Sequence, residues 1–130
     1  MKVPLSQPDI NEQDIVAVLD VLRTNQLSIG PKVIEFEKIM AHLAGQKHGV
    51  AVNSGTSGLH LIVRAMGLKD DDEVITTPFS FVASSNCLLF ERAKPVFVDI
   101  DPDMLNMDAN RIERAITPKT KAILAVHAFG

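Results

Sequence analysis

The chain has 130 residues, enough for one domain with a real core and too few for two ordinary ones. With 46% apolar and 22% charged residues it has a soluble globular composition and not a disordered one. A net charge of −3, the lack of any Lys/Arg run, and the absence of Trp and Tyr exclude the usual nucleic-acid-binding surface, although six Phe remain.

The single cysteine, Cys87, excludes an internal disulfide and fits a reducing compartment. Flanked by Leu88 and Leu89, it reads as a packing residue. No apolar run approaches the ~20 residues of a membrane span, and Met-Lys-Val-Pro opens no signal-peptide pattern. A cytoplasmic location is the resulting expectation.

In chain order, Met1 to Ile10 is an extended arm, with Pro4 and Pro8 disfavouring helix. Ile15, Val18, Leu19 and Leu22 form an i, i+3, i+4, i+7 stripe, which predicts an amphipathic helix over Asn11 to Thr24. A loop from Asn25 to Gly30 precedes a second helix, with Pro31 at its first position and a stop at Gly45. Val50, Ala51 and Val52 then predict a strand that ends at Asn53-Ser54-Gly55-Thr56-Ser57-Gly58, followed by a helix terminated at Gly67.

Asp70 to Glu73 reads as an exposed acidic turn and not as a metal site. Val74 to Thr77 is a short strand, and Phe79 to Arg92 a turn leading into a helix. Pro95 to Ile100 is an apolar strand, with Asp99 and Asp101 ending it and capping its turn. A helix from Asp108, its N-cap, to Ile116 and a strand from Lys121 to Val126 complete the pattern.

From His48 onward strands alternate with helices, and the strands are continuous apolar runs. That implies an α/β architecture of three layers, with a mostly parallel sheet covered on both faces. One domain is expected, with an arm and two helices over 1–46 and the start of the sheet over 47–130.

In such a sheet ligands collect at the carboxyl ends of the strands. Asn53 to Gly58, Thr76 to Phe81, Asp99 to Asp101 and His127 to Gly130 all fall there. The first turn of a helix presents amides without intrahelical partners at the positive end of its dipole, which suits a phosphate. An ordinary strand-to-helix connection, with Ser54 or Thr56 as N-cap, explains the same residues. The spacing excludes a P-loop, because no Lys follows Gly58, and also G-x-G-x-x-G and the G-x-S-x-G elbow. His42, His48, His60 and His127 form no zinc motif. His42 and His60 read as surface or satisfied helix residues, and His127 remains a site-lining candidate. With Phe79 and Phe81 nearby, the strand ends suit a flat, phosphorylated cofactor.

The segments N-S-G-T-S-G-L-H-L, D-E-V-I-T-T-P-F-S-F-V-A-S-S-N, K-P-V-F-V-D-I-D and T-K-A-I-L-A-V-H-A-F-G together resemble the DegT/DnrJ/EryC1/StrS sugar aminotransferases, from Leu5 and the Leu27-Ser28-Ile29-Gly30-Pro31 loop to Gly130. The resemblance implies the large domain of a fold-type-I enzyme dependent on pyridoxal phosphate. It implies that the Thr56 and Ser57 amides, with the Thr56 hydroxyl, hold the cofactor phosphate, that Gly55 lets it approach, and that Phe81 stacks on the pyridine ring. Ser28, Gly30, Phe79 and His127 are substrate-side candidates.

The implied chemistry moves an amino group, commonly from glutamate, to a nucleotide-linked keto sugar, in a homodimer. Some members carry His in place of the Schiff-base lysine and dehydrate the sugar instead. Both that lysine and the carboxylate partner of the pyridine nitrogen lie downstream of the V-H-x-x-G strand in the family. Lys47, Lys69, Lys94, Lys119 and Lys121 match no such position, so no catalytic residue and no metal ligand is assigned. The chain is expected to be an inactive N-terminal portion of a larger enzyme, lacking the strands that separate Val50–Val52 from the strand ending at His127. A non-catalytic binding or regulatory domain that kept the phosphate site is the alternative.

Overall fold

The computed structural model describes residues 3–4 and 6–130. Met1 and Lys2 of the expected arm, and Leu5 of both the arm and the resemblance, lie outside the described residues. The chain forms two compact units, residues 1–51 and 52–130.

The first unit holds α1 (Glu12–Leu22) and α2 (Pro31–Leu43). A capping box starts α1: Asn11 Oδ1 accepts the Gln13 and Asp14 amides at 2.8 and 3.3 Å, and Asp14 Oδ2 accepts the Asn11 amide at 2.9 Å. Gly30 is the N-cap of α2, with Pro31 behind it, and Gly45 ends the helix at φ +63°, where a side chain would be strained. The predicted α1 stripe is present, yet Ile15, Val18, Leu19 and Leu22 all remain exposed. Periodicity marks which face is apolar and does not say what covers it.

No strand forms over 48–52, contrary to the sequence expectation. Val50 is 76% exposed, and the Ala51 amide donates to Glu37 Oε1 at 2.8 Å instead of to a neighbouring strand. A strand needs a second backbone to take its amides and carbonyls, and none of the described strands pairs with this segment. Gly49 packs so close to α2 that a Cβ there would lie 2.5 Å from the Glu37 carbonyl oxygen.

The second unit contains α3 (Gly55–Ala65), β1 (Glu73–Thr76), α4 (Ala83–Phe90), β2 (Lys94–Phe97), α5 (Ala109–Ala115) and β3 (Thr120–Ile123). The sheet is parallel, in the order β2-β1-β3. Thr76 pairs with Phe97 and Ile75 with Ile123, with a register shift against β3 between Glu73 and Val74. The chain leaves β1 towards one edge and returns from β2 to the other. Right-handed crossovers, the hand such connections take, then put α4 and α5 on opposite faces of the sheet.

On the first of these faces, Val63 of α3 and Cys87 and Leu88 of α4 pack with Val74 and Ala93, joined by Leu59, Leu68, Ala122 and Leu124. Cys87 is the expected packing residue, fully buried, and burial pushes its thiol pKa up. Only β1 is buried along its whole length; β2 and β3 alternate or half-expose their side chains, as edge strands do.

Element limits moved by one to three residues. The run to Ile100 was expected as strand, but β2 ends at Phe97, and Val98 still donates to the Thr76 carbonyl at 2.8 Å. The chain beyond turns back, with Ile100 bridging Met107. Asp101 Oδ1 accepts the Met104 and Asp103 amides, which lower its pKa; it is the turn-capping residue expected. Asp108 caps α5 as expected. β3 was expected to reach Val126 and ends at Ile123. Glu73 is not part of an exposed turn: it opens β1, is buried, and accepts Thr117 Oγ1 at 2.6 Å and Lys94 Nζ at 3.4 Å.

Candidate functional site

A helix joined to a strand by a short turn and packed along it runs antiparallel to it. The N-terminus of α3 therefore stands at the carboxyl end of β1, the end from which the loop into α4 departs. Ser54 is the α3 N-cap, its Oγ accepting the Ser57 amide at 3.1 Å. Ser57 Oγ donates to Asn53 Oδ1 at 2.7 Å and lies 3.0 Å from Ser54 Oγ. Those contacts are mutually consistent when Ser54 donates its own hydroxyl proton to Ser57. Of the three hydroxyls in this turn, only that of Thr56 makes no hydrogen bond among the described residues.

The Gly55 and Thr56 amides belong to the first helical turn and have no intrahelical acceptor. A Cβ at Gly55 would meet nothing within 4 Å, so the space outside the helix end is open. The positive end of the α3 dipole thus carries two amides without an intrahelical acceptor and, among the described residues, one hydroxyl without a hydrogen bond.

After β1 come Thr77 and the Phe79–Phe81 loop. Thr77 is 3% exposed, and its Oγ1 accepts the Phe79 amide at 3.2 Å. Phe81 is 77% exposed and Phe79 45% exposed. On the neighbouring strand Leu124 continues the ladder, its amide donating to Ile75 and its carbonyl accepting Thr76 Oγ1 at 3.0 Å. His127 lies beyond that strand end and is exposed.

The lysines of the second unit stand at the opposite end of the sheet. Lys69 precedes β1, Lys94 opens β2 and binds Glu73, and Lys119 and Lys121 flank the start of β3. The topology places no amine of this unit beside Gly55 or Phe81. Ser28 and Gly30 belong to the first unit, in the loop between α1 and α2, where they line a cleft of about 320 Å³ with Thr24, Leu27 and Lys32. Gly30 is needed for close approach: a Cβ would lie 2.8 Å from the Gln26 carbonyl oxygen.

A second polar cluster ties α3 to α4. His60 Nε2 donates to Glu91 Oε1 at 2.8 Å, Arg64 Nη1 reaches the same oxygen at 3.1 Å, and the His60 ring meets Phe90 edge-on. The His60 bond, followed by Arg64, holds the Glu91 pKa below the usual carboxylate range. This is the satisfied helix histidine that the sequence suggested. The residues that spacing missed are Asn53 and Ser54, whose side chains fix Ser57; the N-cap alternatives pointed at Ser54 only as a helix start.

A parallel α/β sheet with helices packed along it is the architecture of the large domain of fold-type-I aminotransferases, here over part of its length. Residues 8–130 match the DegT/DnrJ/EryC1/StrS aminotransferase family, and the chain belongs to it. It is 44% identical over 128 residues to the UDP-4-amino-4-deoxy-L-arabinose–oxoglutarate aminotransferase of Shewanella sediminis, covering 98% of this chain and 33% of that protein. Helicobacter pylori PseC, an aminotransferase involved in pseudoaminic acid biosynthesis, superposes with a TM-score of 0.88 at 38% identity, over 96% of this chain and 34% of its own. A GDP-4-keto-6-deoxymannose-3-dehydratase with a trapped PLP–glutamate geminal diamine superposes with a TM-score of 0.89 at 30% identity, over 95% and 34%. The chain spans about a third of the length of these relatives. Among the described residues, no helix is long and apolar enough to cross a membrane.

Proposed function

We propose that this chain is the cofactor-phosphate portion of a pyridoxal-phosphate-dependent sugar aminotransferase that acts on a nucleotide-linked keto sugar with glutamate as amino donor. The observation that carries the reading is the N-terminus of α3 at the carboxyl end of β1, where the Gly55 and Thr56 amides have no intrahelical acceptor and a Cβ on Gly55 would meet nothing within 4 Å. The dipole and the free donors stabilise a phosphate dianion there, and Gly55 leaves room for it. Ser57 contributes its amide when a phosphate oxygen takes the place of Ser54 Oγ. The exposed Phe81 ring supplies an apolar face for a flat heterocycle and keeps water from that side.

Pyridoxal phosphate, when bound, acts as an electron sink for bonds at the substrate carbon. This chain's residues bind and orient it; none of them is assigned a proton-transfer role, because Lys47, Lys69, Lys94, Lys119 and Lys121 match no Schiff-base position of the family. The 130 residues alone are therefore inactive in amino transfer, and the activity, homodimeric assembly and cytoplasmic location belong to a longer protein. Ser28, Gly30, Phe79 and His127 are its proposed sugar-side residues. The Shewanella relative's name supports the donor and the nucleotide-sugar class.

A sugar dehydratase is the second reading, kept because the GDP-keto-sugar dehydratase shares this fold with a TM-score of 0.89. Both readings use the same phosphate site. They are separated by assaying the longer protein with a keto sugar, glutamate and cofactor, where an aminated product supports the transferase and a dehydrated product the alternative. The phosphate site itself is tested by titrating this chain with inorganic phosphate and following amide NMR signals. Shifts confined to Gly55–Gly58 support it, and no shift there overturns it in favour of a domain without the cofactor.

A further inference from the structure

Around Phe81 the chain is tied down on both sides. Thr77, buried beneath the loop, accepts the Phe79 amide at 3.2 Å, and the Ser80 amide donates to the Pro78 carbonyl at 3.0 Å. Ser80 Oγ and Ser84 Oγ are 2.7 Å apart, and the Ser84 amide donates to the Phe81 carbonyl at 3.1 Å. Ser84 is buried in the first turn of α4, so its hydroxyl needs a partner once removed from water.

Ser80 is the informative member of the pair. Helix α4 has no side-chain N-cap; Val82 holds the cap position, two residues after Ser80. Ser80 instead bonds a second hydroxyl across Phe81, closing residues 80–84 into a small ring of chain. The loop so closed holds a phenylalanine 77% exposed, although a ring of that size gains by burial.

We infer that Ser80 and Ser84, with Thr77 beneath them, are positioning residues for Phe81, fixing its ring to receive a flat aromatic ligand at the carboxyl end of β1. The inference rests on the cofactor reading above and extends it from the ring to the residues that hold the ring. Loss of the clamp frees the backbone that carries Phe81, so the ring contact weakens while the phosphate contacts at α3 persist.

The test compares two probes on the 130-residue chain by amide NMR titration: inorganic phosphate, which uses only the α3 end, and pyridoxamine 5′-phosphate, which adds the ring and has no aldehyde to condense with lysines. Wild type is expected to prefer the second probe, and Phe81→Ala to abolish that preference. Ser80→Ala and Ser84→Ala are each expected to narrow it by about three- to tenfold with phosphate affinity unchanged, the range of an aromatic contact. Ser80→Thr, which keeps the hydroxyl, is expected to retain it. Ser80 is only half-buried, so its variant stays informative if Ser84→Ala fails to fold. An unchanged preference in both alanine variants, or an equal loss of both probes, overturns the positioning role and leaves the cofactor reading standing. A wild-type chain that binds neither probe overturns both.

Discussion

Ser57 donates its hydroxyl proton to Asn53 at 2.7 Å, which leaves Thr56 as the one unengaged hydroxyl at the head of α3. The two neighbours are chemically alike and structurally opposite. Thr56→Val is expected to weaken inorganic phosphate binding by about tenfold or more, the loss of a hydrogen bond to a charged group. Ser57→Ala should change it less than about twofold. Titrations followed by amide NMR distinguish the pair, and equal losses would count against the assignment.

Ser54 holds the same helix from outside. Replacing it with Ala removes the N-cap bond to the Ser57 amide and is expected to cost about 1 kcal/mol of stability. Urea denaturation with an unchanged slope is the check.

The core centres on Leu88, fully buried among Val63, Val74 and Cys87. Leu88→Ala is expected to destabilise the second unit by about 2–5 kcal/mol through lost transfer energy and the cavity left behind. Thermal unfolding monitored at residues of β1 measures it.

Glu73 links the amino ends of all three strands through Thr117, Lys94 and the Lys119 carbonyl. The Thr117 hydroxyl bond, more than Lys94, depresses its pKa. A carboxylate with a depressed folded-state pKa stabilises fully above its unfolded value of roughly 4.3 and loses that contribution as pH falls through the folded one. The urea midpoint of wild type is expected to drop on acidification below about pH 4.5, and Glu73→Gln should flatten that part of the profile.

In the first unit, Gly49→Ala would drive a methyl to 2.5 Å from the Glu37 carbonyl oxygen, a backbone atom that cannot rotate away. A loss of about 1–3 kcal/mol is expected, read by amide exchange in α2.

The sequence spoke clearly where one segment decides its own structure. The Asp108 cap, Pro31 at a helix start, and the burial of Cys87 ahead of two leucines are local, and the structure bears them out. It was ambiguous where a partner decides. Among the described residues, Val50–Val52 has the composition of a buried strand but no strand beside it, and the α1 stripe stays largely exposed. Glu73 looked like one more acid in a charged turn, because nothing nearby in sequence reveals Thr117. At the site, spacing located the opening at α3, and the resemblance supplied the roles of Thr56 and Phe81. The network of Asn53, Ser54 and Ser57 depends on side-chain rotamers, which no residue pattern encodes.

The order β2-β1-β3 also sets a timetable. The central strand is the first to leave the ribosome, so β1 and α4 can close onto β2 through short-range contacts while β3 is still being made. β3 then joins the free side of an existing two-stranded nucleus. Among these three strands the sheet can grow outward from its middle during synthesis, and the residues around Gly55 and Phe81, both emitted before β2, are already made when β3 arrives.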